Sequence, residues 1–147
     1  MTYQIIYSSE SATPMQMDDL EDILERARIN NAARQITGAL VYVDGTFLQV
    51  LEGDAESVKP LMARIAADVR HETVTVLQEA EIAAPVFRDW RMAYVSATPE
   101  QVAKWAGLPG TTAIPEILVD MQQDPFKAAQ VAQSILSVLS AEPHQPS

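Results

Sequence analysis

Three polar side chains sit where this chain otherwise sets apolar ones: Tyr7 in "IIYSS", Asn31 at the end of an apolar helical stripe, and Gln49 in "TFLQVLEG". A phenol is redox-capable, and an amide both donates and accepts hydrogen bonds. A buried amide without partners costs about 1 to 3 kcal/mol, so Gln49 either turns to water or is hydrogen-bonded inside the protein. Taken singly, each residue has a plain reading: Tyr7 as an ordinary strand residue, Gln49 as an edge or backbone-satisfied amide, Asn30 and Asn31 as a helix cap. Only the combination suggests chemistry.

Other chemistries lack their residues. The chain has no cysteine, which excludes disulfides and thiolate chemistry, and its two histidines, His71 and His144, are far apart, so no metal site is expected. Twenty acidic against ten basic residues give a net charge of −10, which argues against nucleic acid or an anionic membrane as partner. The start "TYQIIYSS" is strand-like rather than a signal peptide, and no apolar segment approaches membrane length. A cytoplasmic protein is the expectation.

These side chains need elements to hold them. Alternation makes Tyr3 to Ser8 a strand with Tyr3, Ile5 and Tyr7 on one face. Asp18 and Glu21 form a capping-box-like start to a helix with Leu20, Ile23, Leu24 and Ala27 on one stripe; it is expected to end at Asn30-Asn31, with Gly38 breaking the chain before the next strand. Asp44-Gly45 between apolar runs predicts a hairpin, whose second arm places Phe47, Gln49 and Leu51 together. A helix follows Gly53-Asp54, with Val58, Leu61, Met62, Ile65 and Val69 on its stripe and Pro60 near its start. "TVTVLQEAEI" and "DWRMAYVS" complete a βαββαββ order, the second with Trp90, Met92 and Tyr94 sharing a face. That order predicts a ferredoxin-like α+β domain over residues 1–96, two helices on one face of the sheet. A C-terminal helical extension is expected over 97–140. It comprises a short helix capped at Thr98, a Gly/Pro/Thr-rich loop from Gly107 to Pro115, and a last helix after Asp124 and Pro125 with Ala128, Val131, Ile135 and Leu139 on one side. Residues 141–147 are expected to be a disordered tail.

In unbroken order, "IIYSS", "NNAARQITGALVY", "GTFLQVLEG", "DVRHETV" and "FRDWRMAYVS" resemble the BLUF domain, a blue-light sensor that binds FAD, in its short single-domain form. The resemblance implies non-covalent FAD, or FMN or riboflavin, between the two helices. It implies that Gln49 lies beside flavin N5 and the C4 carbonyl, with Tyr7 next to it and Asn31 holding the C4 carbonyl and N3 edge. Asn30, Arg64, Asp68 and His71 match residues lining the ring and ribityl side. Ser9 matches a serine near the tyrosine and counts as signal-transmitting with Trp90 and Met92, which match the fifth-strand pair of that role, Met92 counting among the flavin-side residues as well.

The implied mechanism is transfer of an electron and a proton from Tyr7 to the excited flavin, after which Gln49 rotates or tautomerises and rewires its hydrogen bonds without a buried charge. The missing cysteine separates this from LOV-type photosensors, which need a thiol. No catalytic turnover is implied, and no effector module fits the remaining residues. The signal is therefore expected to pass to an effector protein, with the C-terminal helices as contact or self-association surface in a homo-oligomer, although the stripe of Ala128, Val131, Ile135 and Leu139 equally suits a helix that covers the domain. An acylphosphatase-type enzyme on this fold would want Arg and Gly ahead of the first helix, where "SSESATPMQMDD" has neither. A flavin-free adaptor is the third reading, disfavoured by the complete Tyr, Asn and Gln set.

Overall fold

The computed structural model describes residues 1–11, 16–67 and 71–141, without the side chains of residues 17, 71 and 72. Val69 of the expected helix stripe, Asp68 and the 142–147 part of the expected tail lie outside the described residues; Ala141 closes the last helix.

The apolar alternation produces strands β1 (Thr2–Ser11), β2 (Thr37–Val43), β3 (Thr46–Gly53), β4 (His71–Ile82) and β5 (Ala93–Ser96), joined in one sheet in the order β4-β1-β3-β2-β5. Neighbours are antiparallel except β2 with β5, which is parallel. Asp44 and Gly45 connect β2 to β3 with φ of 50° and 79°, the paired positive values of a type I′ turn. The β1–β3 register sets Tyr7 opposite Gln49, so the two residues singled out above are cross-strand neighbours.

Because side chains alternate, the sheet buries two different faces. On one, Ile5, Tyr7, Leu40, Phe47 and Leu51 pack with Leu20 and Leu24 of α1 (Met17–Arg34) and with Val58 and Leu61 of α2 (Ala55–Ala66). On the other, Ile6, Val41, Leu48, Val50 and Val95 pack with α3 (Pro99–Trp105), α4 (Ile114–Gln123) and α5 (Pro125–Ala141). The α5 stripe of Ala128, Val131, Ile135 and Leu139 is therefore consumed inside the chain, so of the two uses open to it the helix covers the domain.

Several local expectations are corrected. Helix α1 begins two residues earlier than Asp18–Glu21 suggested: Gln16 is the N-cap and Asp19 accepts from its backbone N–H at 3.0 Å. It also runs past Asn30 and Asn31, because Ala32, Ala33 and Arg34 are strong helix formers, and ends where Gln35 turns left-handed at φ 56°. Gly38 lies inside β2 rather than breaking the chain; a Cβ there would collide with the carbonyl oxygen of Val50. Pro60 sits beyond the first turn of α2, so the Glu56 carbonyl loses its helical donor. Helix α4 was hidden by the Gly/Pro/Thr composition ahead of it, although Pro115 is at home in a first turn and Ile114, Ile117 and Met121 already showed helical spacing. Elsewhere the capping reads correctly: Thr98 caps α3 with Gln101, and Asp124 Oδ1 accepts from Phe126 N–H at the start of α5.

The fifth strand is shorter than "DWRMAYVS". It starts only at Ala93, and ahead of it Trp90 N–H donates to Phe87 O at 3.0 Å in a turn. Period-2 alternation does not extend back through a turn, so Trp90 and Met92 do not share a face: Met92 is buried on the α1/α2 side, whereas Trp90 packs on the α3–α5 side.

Candidate functional site

A cavity of about 260 Å³ opens between α1 and α2 over the sheet. Helix α1 lines it with Ile23, Arg26, Ala27, Asn30 and Asn31, which recur every three or four residues as one helix face must; α2 adds Leu61, Arg64 and Ile65 by the same rule. The sheet contributes Leu40, Gln49 and Leu51, and Met92 closes the set. The walls are thus aliphatic, and the polar groups are two Asn, one Gln and two Arg.

Tyr7, fully buried on β1, donates its phenol hydrogen to Gln49 Oε1. The other end of the Gln49 amide is oriented as well: Nε2 donates to Met92 Sδ at 3.5 Å. Phenol, amide and thioether thereby form a continuous chain at the cavity floor. Asn31 is also buried, and its Nδ2 donates to the carbonyl of Arg91, while Arg28 Nε donates to the carbonyl of Met92 at 3.1 Å. Both side chains project from α1, so the helix grips the chain segment that carries Met92. Arg26 pairs with Asp22 one turn back at 3.3 Å, and it and Arg64 are the exposed cations of the lining.

Of the residues singled out from sequence, Asn30, Asn31, Gln49, Arg64 and Met92 come together around the cavity, with Tyr7 directly behind Gln49. Ser9 is buried two residues along β1 from Tyr7, beside register shifts in the β1–β4 pairing. Trp90 does not join them. Asp68 lies outside the described residues; His71 opens β4, but its side chain is not described. Arg26 and Arg28 were missed. Helical spacing from Ile23 and Asn30 could have found Arg26, but Arg28 acts on a backbone carbonyl 64 positions away, which no local pattern reports.

A family model described as sensors of blue-light using FAD, BLUF, matches residues 2–93. The chain belongs to the BLUF family. It is a blue-light sensor that uses FAD, and the acylphosphatase-type and flavin-free readings give way. Among relatives, the chain is 37% identical over 105 residues to the photoactivated adenylate cyclase subunit beta of Euglena gracilis, an alignment covering 71% of this chain and 12% of that protein. Among solved structures, BlsA in its ground state is 33% identical with a TM-score of 0.67, covering 74% of each chain. The dark-state structure of the BLUF protein BlrB covers 93% of this chain and 96% of its own at TM-score 0.73; at 24% identity it speaks for the fold. A bacterial light-regulated adenylyl cyclase aligns at 30% identity and TM-score 0.63, over 65% of this chain and 28% of its own. The matched segment is that of a family of blue-light sensors, and it spans only part of the length of the two cyclases.

Proposed function

We propose that residues 1–96 form the photoactive unit, with the FAD ring system in the cavity between α1 and α2, and that the helices of residues 97–140 form its output side. The observation that carries this reading is the chain from Tyr7 through Gln49 to Met92 at the cavity floor. The residues present suit the group. Leu40, Leu51, Ile23, Leu61 and Ile65 offer apolar contact to a flat ring, and Gln49 and Asn31 offer amide edges to its polar rim. An Asn amide can make up to about four hydrogen bonds, so the bond to Arg91 leaves capacity for a ligand. A cavity of about 260 Å³ is too small for a whole dinucleotide, whose remainder would run out past Arg26, Asn30 and Arg64. By the resemblance Asp68 and His71, whose side chains lie outside what is described, would belong to the same lining, and FMN or riboflavin would use the same ring contacts.

When bound, the flavin supplies absorption of blue light and a strongly oxidising excited state. Tyr7 then yields an electron and a proton and recovers both, while Gln49 relays the hydrogen bonds and is left rotated or tautomerised. An amide can do this without creating a buried charge, which a carboxylate in its place would bring. After rotation Gln49 Nε2 faces Tyr7 and Oε1 faces Met92. A thioether accepts hydrogen bonds and donates none, so the Gln49–Met92 bond ends. Ser9 buttresses Tyr7, and Met92 with Trp90 carries the change outward.

The output goes to a separate effector protein in the cytoplasm, and the chain self-associates. Support for this comes from the outward side of the C-terminal helices, where Val119 is 50% and Phe126 is 85% exposed. The test of the core claim is Gln49→Leu in flavin-loaded protein. It retains flavin and loses the reversible red-shifted state; a wild-type shift in that variant refutes the role.

A further inference from the structure

Glu52 is 0% exposed, yet it takes no part in the cavity. On β3 it follows Leu51 and therefore faces the α3–α5 side with Leu48 and Val50, opposite Gln49. A buried carboxyl group is costly unless hydrogen bonds replace water. Here each oxygen accepts two. Oε1 accepts from Phe87 N–H at 2.8 Å and Thr37 Oγ1 at 3.3 Å; Oε2 accepts from Val86 N–H at 2.8 Å and Gln4 Nε2 at 3.1 Å. Gln4 and Thr37 are its cross-strand neighbours on β1 and β2. Val86 and Phe87 belong to the connection between β4 and β5.

That connection is held at its far end by different groups. Gly38 N–H donates to Trp90 O at 3.1 Å, Asn31 to Arg91 O and Arg28 to Met92 O, and the Met92 sulfur accepts from Gln49. The Phe87–Trp90 turn is thus slung between Glu52 on one side of the sheet and the Gln49–Met92 contact on the other. Both anchors sit on β3. A segment tethered at one end absorbs a displacement by local relaxation, whereas one tethered at both must move its middle.

We propose that Glu52 is a positioning residue for signal output: it pins the Val86–Phe87 end of the connection, so that release of Met92 is delivered to Trp90 and the α3–α5 core. The inference rests on the light-sensing reading of Gln49 and Met92. Two variants separate position from mere stability. In Glu52→Gln, the amide nitrogen must face one of the two backbone N–H groups, donor against donor. Glu52→Asp restores two acceptor oxygens on a shorter arm.

The experiment is amide hydrogen exchange on the flavin-loaded full chain, in the dark and under blue light, beside its absorption spectrum. In the wild type, the Val86 and Phe87 amides exchange slowly and change by less than about twofold on illumination, while exchange around Trp90 and in α3–α5 rises about tenfold. Glu52→Gln keeps the spectral red shift, speeds dark exchange at Val86 and Phe87 about tenfold, and loses more than about half of the α3–α5 response. Glu52→Asp recovers part of it. An undiminished α3–α5 response in Glu52→Gln overturns the proposal. Should that variant not fold, the wild type decides: loss of Val86 and Phe87 protection in step with Trp90 under light shows no fixed end and overturns it equally. Absence of any wild-type spectral shift instead removes the light-sensing reading beneath.

Discussion

Met92 gives the Gln49 amide a preferred direction, because only the nitrogen end can bond a thioether. Met92→Leu conserves volume and should cost less than about 1.5 kcal/mol of stability. Losing the sulfur removes one dark-state hydrogen bond, about 1 kcal/mol, so the resting orientation is favoured less. Dark recovery after a flash is expected to slow, by up to about fivefold; recovery as fast as wild type would leave the contact without a role. Tyr7→Phe removes the phenol that bonds Gln49, and with it the electron and proton donor. Its photocycle yield should collapse while flavin stays bound, as flash spectroscopy will report. Tyr7 and Gln49 drew notice in combination, as polar groups on an otherwise apolar strand face, and the roles proposed for them came only with the family resemblance. Asn31 drew notice as a helix cap, yet it lies inside α1, and its bond to Arg91 became visible only once the chain was folded.

At the scale of elements, the turn ahead of β5 divides two side chains that alternation had put together. Trp90 packs on the α3–α5 core and Met92 at the cavity, so Trp90→Ala should leave the light-minus-dark spectrum nearly unchanged while weakening what the helices receive. Loss of the spectral shift in that variant would place Trp90 on the wrong face. Helix α5 covers the sheet rather than waiting for a partner: Ile135→Ala empties a site that is 1% exposed and should cost about 2 to 5 kcal/mol in denaturant unfolding. A free, partner-seeking stripe would lose little. Periodicity reported the strands, α1, α2 and α5 well, since each carries its own buried stripe. It failed where composition masked a helix start, at α4, and where a turn interrupts a strand pattern, at Trp90.

For the whole molecule, one sheet serves two cores, the cavity side shaped by α1 and α2 and the far side by α3–α5. Stability also carries a pH signature. Burial, then the hydrogen bond to Glu79 and its charge, raise the Tyr3 phenol from 10.0 to about 12. A raised folded-state value contributes stability below the unfolded value of 10.0 and loses it as pH climbs through about 12. Unfolding midpoints of wild type and Tyr3→Phe should therefore converge over that interval. The light-minus-dark absorption spectrum of the purified flavin-loaded protein reports whether Tyr7, Gln49 and Met92 form a light-driven hydrogen-bond switch around FAD. A small red shift of the flavin band should form under blue light and revert in the dark. A flavin-loaded protein whose spectrum does not change under blue light, or only bleaches irreversibly, would contradict it.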